Sequence, residues 1–398
     1  MSSISINIQL SILRSCINEK IDLHKALQVY NFTYDDLLYK HQNYQSSIYD
    51  EGVFTSYLTP EDFNFRPNNI PAVSFFSGAG GLDLGFKYAG FDHIASVEVN
   101  ELFCETIRFN NPEWFVIGPP ESTGDICNKE EIATKLSSVI PYNFDGVFHG
   151  GPPCQPFSIA SNQRYKKQNE NFKRNGFDDE EKGNLLFDYV WFIKRFKPKV
   201  FLIENVPGLE TLDDGKQLSY AISTLQASGY TVFDHKVLNS YEYGVPQYRS
   251  RLIIIGTRIS KDFSYPVPEK GIVPCSFALS KRVQGLENHV TREHKADSIL
   301  RYMNLHFGER DALGRVDRLN PNLPSKTVIA GGTKGGGRSH LHPYIPRTLS
   351  VRESARLQTF PDSYVFTGAS ARQFTQVGNA VPPLLAMKLA RSVYQLYN

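Results

Sequence analysis

The sequence predicts an α/β chain: a mixed, mainly parallel sheet covered by helices on both faces, with a second, smaller domain. Three observations lead there. Short β-rich runs alternate with helical stretches from Pro71 onward, the first run is followed at once by the glycine turn Ser77-Gly78-Ala79-Gly80-Gly81, and a basic segment interrupts the alternation late in the chain. At 398 residues the chain is long enough for both domains to hold a core.

Residues 1 to 70 are polar and mixed, with a helical-looking stretch from Ile8 to Leu38 and no motif that carries chemistry. They read as an accessory helical extension. Pro71 to Phe76 is the first strand, and the amphipathic stretch through Gly85, Phe86, Tyr88 and Ala89 is its helix. Further strands are expected at His93 to Val99, Phe144 to His149, Val200 to Glu204 and Leu252 to Gly256. Such apolar runs separated by helices suit parallel strands buried on both faces. The end of the chain, Leu384 to Leu396, reads as a helix packed beside the sheet.

Composition narrows the function classes. Hydrophobic content of 41% and aromatic content of 13% are those of a soluble globular chain. No apolar run reaches membrane-spanning length, and the start Met1-Ser-Ser-Ile-Ser lacks the basic residues of a secretory signal, which makes the cytoplasm the expected location. The net charge of +2 is unevenly spread: residues 246 to 350 hold 17 Lys and Arg against 8 Asp and Glu, so the remainder is acidic by seven. A basic segment on an acidic body is the pattern of a polyanion-binding module on an enzyme.

Five cysteines are scattered through the chain without Cys-x-x-Cys pairs or zinc spacing, so no metal and no disulfide framework is expected. Cys16, Cys104, Cys127 and Cys275 read as small packed residues. Cys154 differs. It sits in Gly150-Gly151-Pro152-Pro153-Cys154-Gln155-Pro156, at the end of a predicted strand, where neither helix nor ladder pairing continues. A single thiol in a fixed turn is a candidate nucleophile, and Glu204, at the end of the next strand in Glu204-Asn205-Val206, is a candidate acid.

The glycine turn discriminates between cofactors. After Gly78 and Gly80 the third position of a dinucleotide fingerprint is Asp83, so that fingerprint is not met. Phe76-x-Gly78-x-Gly80-Gly81 instead resembles the turn of S-adenosylmethionine-dependent methyltransferases. Glu98, about 20 residues beyond the first glycine, is placed to accept hydrogen bonds from ribose hydroxyls. Asp125-Ile126 is expected at a third strand end, beside an adenine.

With these motifs in order, followed by Gln247-x-Arg249-x-Arg251, Arg352-Glu353-x-x-Arg356-Leu357-Gln358-x-Phe360-Pro361 and Gly378-Asn379-Ala380-Val381-Pro382, the chain from Pro71 to Asn398 resembles the DNA cytosine-5 methyltransferases of bacterial restriction-modification systems. The resemblance implies the S-adenosylmethionine-dependent, Rossmann-like form of the fold, with a catalytic domain at 71 to 257, a target-recognition domain at 258 to 347 and a return to the catalytic domain at 348 to 398. It implies Cys154 as nucleophile, Glu204 as general acid, Arg251 facing a flipped cytosine and Arg249 anchoring the cysteine loop. S-adenosyl-L-methionine would be held by Phe76, Ser77, Gly78, Gly80, Gly81, Leu82, Glu98, Val99, Asp125, Ile126, Pro153, Leu185, Asn379 and Ala380.

Double-stranded DNA would be held by Gln155, Ser158, Arg164, Lys166, Gln247, Thr327, Lys334 and Arg338. The Gly-rich run around Lys334 lacks the Gly-Lys-Ser/Thr of a P-loop and reads as a close approach to a groove. A monomer is expected, with any restriction endonuclease encoded separately. Two other readings stay open: a tRNA cytosine-5 methyltransferase and a catalytically idle DNA-binding homologue. The recognition sequence is not legible, because no residue code translates side chains into bases.

Overall fold

The computed structural model describes residues 4–41, 57–153, 185–330 and 340–398. Its centre is an eight-stranded sheet built from β1 (Pro71–Phe75), β2 (Asp92–Val97), β3 (Phe115–Ile117), β4 (Val147–Gly150), β5 (Val200–Asn205), β6 (Thr231–Val232), β7 (Lys236–Asn239) and β8 (Ser250–Thr257). The strands lie in the order β3-β2-β1-β4-β5-β8-β6, with β7 also paired to β8. Pairing is parallel from β3 to β5 and antiparallel at β8.

Period-two alternation divides each central strand between two cores. Phe75, Phe148, Phe201 and Ile203 face α5 (Lys129–Ser137), α6 (Leu185–Phe196) and α7 (Lys216–Ala227), while Ala72, Val147, Val200 and Leu202 face the other side. That other side is covered by α3 (Gly81–Tyr88) and α12 (Pro383–Tyr394). Both faces of β5 are shut from water, which is why its sequence is an unbroken apolar run until Glu204. Chain order reverses between β1 and β4, so the turns leaving these strands open a crevice at the carboxyl edge of the sheet.

Before the sheet lie α1 (Ile6–Glu19) and α2 (Leu23–Val29); α4 (Glu101–Asn110) follows β2. The single helical stretch expected over 8 to 38 is broken at Lys20, which takes φ 55°, and Asp22 then caps α2 by accepting from Lys25 N–H. Past the sheet are α8 (Cys275–Leu279), α9 (Ala296–Tyr302) and the short hairpin of β9 (Arg310–Asp311) and β10 (Val316–Asp317). The chain then returns through α10 (Val351–Leu357), whose capping box pairs Ser350 with Glu353, and α11 (Ser370–Asn379).

Sequence and structure part company at a few places. Strand β2 ends at Val97, because Glu98 and Asn100 begin a turn rather than a ladder. Three-residue β3 carries no periodic signal long enough to read. Cys16, Cys104 and Cys275 are buried as expected, but Cys127 is exposed, with its Sγ 3.6 Å from an oxygen of Asp188. Among the described residues no helix is long and apolar enough to cross a membrane.

Candidate active site

At the end of β1 the backbone turns sharply. Phe76, Gly78 and Gly80 take φ of 54°, 56° and 75°, and the left-handed Gly80 is the N-cap of α3. A side chain at Gly80 would also meet the Tyr364 hydroxyl, which donates to Ala79 O at 2.8 Å and holds the turn from outside. Gly78 N–H donates to Glu98 Oε2 at 2.7 Å, and Asn100 N–H donates to Oε1 at 2.8 Å. Burial pushes the Glu98 carboxyl up to about 7, against the pull of those two N–H groups. A Cβ at Gly78 would meet nothing nearer than Phe76 O at 4.0 Å, so the turn presents backbone and a buried acid to whatever occupies the crevice.

Beneath the turn runs a chain of polar groups that sequence reasoning missed. Ser77 donates to Ser74 (2.9 Å), Ser74 to Asp83 (2.5 Å), and Ser96 to the other oxygen of Asp83 (3.1 Å). Asp83 is wholly buried, and that burial raises its carboxyl to about 6. In the sequence Asp83 served only to exclude a dinucleotide fingerprint; the serines at 74, 77 and 96 are the signal that it has partners.

The other cofactor candidates fall unevenly around this turn. Ser77, Leu82 and Ile126 are buried, Val99 is exposed, and Leu185 begins α6 half-buried. Asp125 lies in the loop after β3, not at the strand end, and its Oδ1 accepts from Cys127 N–H at 2.9 Å. That loop is nonetheless pressed against the end of β2, since a Cβ at Gly124 would collide with Glu98 O. A Cβ at Gly81 would likewise strike Val381 O and Ala380, so Ala380 meets the turn, while the neighbouring Asn379 is exposed.

At the ends of β4 and β5 the second group of candidates gathers. Asn205 Nδ2 donates to Pro152 O at 2.9 Å, tying the proline turn to β5. Glu204 Oε1 lies 2.6 Å from Arg251 Nε, with both side chains almost closed to solvent. A Cβ at Gly151 would stand 2.5 Å from Glu204 Oε2, which explains a glycine there by space rather than by φ. Pro153 is exposed. Cys154, Gln155, Ser158, Arg164 and Lys166 lie outside the described residues, as do Lys334 and Arg338.

Two residues bond to the segment around Val328 and to the return helices. Gln247, expected on DNA, is fully buried: its Nε2 donates to Gln358 Oε1 (2.8 Å) and its Oε1 accepts from Val328 N–H (2.8 Å). Arg249, expected to anchor the cysteine loop, gives Nη1 to Val328 O (3.1 Å) and Nη2 to Gly378 O (2.8 Å). Both therefore pin the segment 325 to 328 onto the sheet and the return helices, because a buried amide or guanidinium must find protein partners. In that segment Thr327 Oγ1 donates to Tyr248 O at 2.6 Å and is only half-buried.

Among the described residues no group of three or more His, Cys, Asp or Glu is arranged to hold a metal ion. What the site offers is an ion-paired carboxylate at one strand end and a glycine turn with a buried acid two strands away.

The family model described as C-5 cytosine-specific DNA methylase matches residues 70–395. The Type II methyltransferase M.NgoFVII of Neisseria gonorrhoeae is 33% identical over 363 residues, covering 85% of this chain and 90% of that protein. The Type II methyltransferase M.PspPI of a Psychrobacter strain is 33% identical over 355 residues, covering 82% of this chain and 79% of its own. Among solved structures, a protein described as a DNA modification methyltransferase encoded within an E. coli prophage aligns with a TM-score of 0.64 at 24% identity, over 83% of this chain and all of that one. At that identity it shows the fold alone.

Proposed function

Since the chain belongs to the C-5 cytosine-specific DNA methylase family, we propose that it methylates C5 of a cytosine rotated out of a specific duplex DNA sequence, through a covalent bond to Cys154. The observation that carries this reading is the Glu204–Arg251 pair at the end of β5, with the Gly151-Pro152 turn that leads to Cys154 lying against it.

C5 of cytosine is a weak nucleophile inside an aromatic ring. The Cys154 thiolate adds to C6, forming a C–S bond and pushing the ring electrons toward C5 and N3. Glu204, once it has taken up a proton from solvent, gives that proton or a hydrogen bond to N3, where charge develops, and Arg251 holds its other oxygen in place. S-adenosyl-L-methionine supplies the electrophilic methyl group that C5 accepts. Loss of the C5 proton to solvent water then expels the Cys154 thiolate, restores the ring and leaves 5-methylcytosine.

The residues around the glycine turn fit that donor. Gly78 places no side chain over the turn, Glu98 is a buried acceptor beside it, and Ala380 closes the turn from the return segment. The basic segment supplies the charge that DNA phosphates require. The relatives' designation as Type II methyltransferases supports a restriction-modification role, in which the enzyme works as a cytoplasmic monomer protecting host DNA from a separately encoded endonuclease.

Incubation with methyl-labelled S-adenosylmethionine and either duplex DNA or tRNA tests the reading. Label is expected in DNA with the wild type and in neither substrate with Cys154→Ser. Label confined to tRNA, or DNA labelling that survives in Cys154→Ser, contradicts it.

A further inference from the structure

The N-terminal segment precedes the family match, which begins at residue 70. It is nevertheless not an appendage. Ile12 and Leu13 of α1, Leu27 of α2, and Leu37 and Tyr39 beyond them share one buried core with Ile299 and Met303 at α9 and Leu341. The backbone joins in, with Lys40 N–H donating to Met303 O at 2.9 Å. Arg318, also fully buried, stacks 3.5 Å from the Tyr39 ring and donates to Leu305 O and Pro343 O. None of these partners belongs to the central sheet. The apolar face of the basic segment is thus completed by residues from the opposite end of the sequence.

A polar hub links this composite unit to the return helices. The wholly buried Arg347 lies between two carboxylates: Asp35 Oδ1 at 2.6 Å from Nη2, and Glu353, whose two oxygens accept from Nη1 and Nη2 at 2.8 Å each. The other oxygen of Asp35 accepts from Gln284 Nε2 and meets His289 Nε2, both at 3.0 Å. Glu353 also caps α10 by accepting from Ser350 N–H at 2.7 Å. One N-terminal side chain therefore bonds to the middle and the end of the basic segment and, through Arg347, to the helix that leads back to the sheet.

We propose that residues 4–41 are a structural part of the target-recognition domain, and that Asp35 is a positioning residue that sets, through Arg347, how that domain is presented to DNA. This rests on the DNA-methylating reading above. A buried charge left without a partner is costly, whereas Asp35→Asn leaves Arg347 still paired with Glu353. That variant is expected to fold with its hub loosened and its cofactor crevice intact.

The test compares Asp35→Asn and Asp35→Glu with the wild type in steady-state methyl transfer, varying DNA and methyl donor separately, together with hydrogen exchange of backbone amides. For Asp35→Asn the KM for DNA is expected to rise about tenfold, with kcat and the KM for S-adenosylmethionine within roughly twofold, and Asp35→Glu is expected to recover most of the loss. Amides of Ala296–Tyr302 are expected to exchange faster while those of Val200–Asn205 do not change. An unchanged KM for DNA, or a fall in kcat with both KM values unchanged, overturns the proposal. A wild type that does not methylate DNA sinks the activity reading instead; exchange then decides alone, with faster exchange at Ala296–Tyr302 but not at Val200–Asn205 upholding the coupling and unchanged exchange overturning it.

Discussion

Arg251 Nε lies 2.6 Å from Glu204 Oε1, and the two side chains come from antiparallel neighbours, β8 and β5. The pair fixes a carboxyl group at the edge of the sheet where the proline turn departs. Replacing Arg251 by Met removes the charge while keeping much of the volume. Turnover at saturating substrates is expected to fall by about 10²- to 10³-fold, as on losing one preorganised partner of a developing charge. Single-turnover rates with enzyme in excess over DNA check this, and S-adenosylmethionine affinity is expected to be unchanged.

Gly151 offers a more local probe of the same carboxylate. Its added Cβ would stand 2.5 Å from Glu204 Oε2, and Glu204 is not free to swing because Arg251 holds its other oxygen. Gly151→Ala is expected to lower kcat by about tenfold or more and to cost about 1–3 kcal/mol of stability, since the ion-paired carboxylate must give way. Denaturant midpoints measured beside kcat separate the two effects.

Glu98 gives the cofactor step a pH dependence. Burial raises its carboxyl to about 7, so near neutrality a fraction is protonated and lacks part of its acceptor capacity. Ribose hydroxyls prefer the ionised form. Affinity for S-adenosylmethionine is therefore expected to rise from pH 6 to about pH 8 and then level, and Glu98→Gln is expected to bind weakly with a flat profile. Calorimetric titration across that range checks it; a flat wild-type profile contradicts the assigned role.

Buried histidines govern acid stability. Burial holds His93 down to about 3, and His294 and His342 to about 4, so each is neutral in the folded chain and takes up a proton more readily when unfolded. Their stabilisation is complete above the ordinary histidine range and is lost as pH falls toward the folded values. The raised carboxyls of Asp83 and Glu98 act in the opposite sense, gaining stability on acidification, but the histidines outnumber them. The urea midpoint is expected to fall steadily between about pH 6.5 and 4.5, and His342→Gln is expected to make that fall shallower.

Much of the catalytic half was legible because its signals are local. The glycine turn, the apolar run ending at Glu204 and the proline turn after Gly150 each state a backbone requirement within a few residues. Side-chain partnership over long separations was not. Gln247 reads as a DNA contact and Arg249 as an anchor of the cysteine loop, and neither reading points to Val328, Gln358 and Gly378, which are 79 to 129 positions away. The bond between Asp35 and Arg347 spans 312 positions, so residues 4–41 could only read as an extension without a role. Asp83 escaped notice because its hydroxyl partners sit on two different strands.

The central claim is tested most directly by identifying the product. Duplex DNA treated with the enzyme and S-adenosylmethionine is digested to nucleosides and analysed by mass spectrometry, with parallel bisulfite sequencing to locate the modified base. Methylation at cytosine C5 in one short sequence context, absent with Cys154→Ser, is the predicted result. Methyl groups on an exocyclic amine of cytosine or adenine, or 5-methylcytosine formed equally well without the Cys154 thiol, would contradict it.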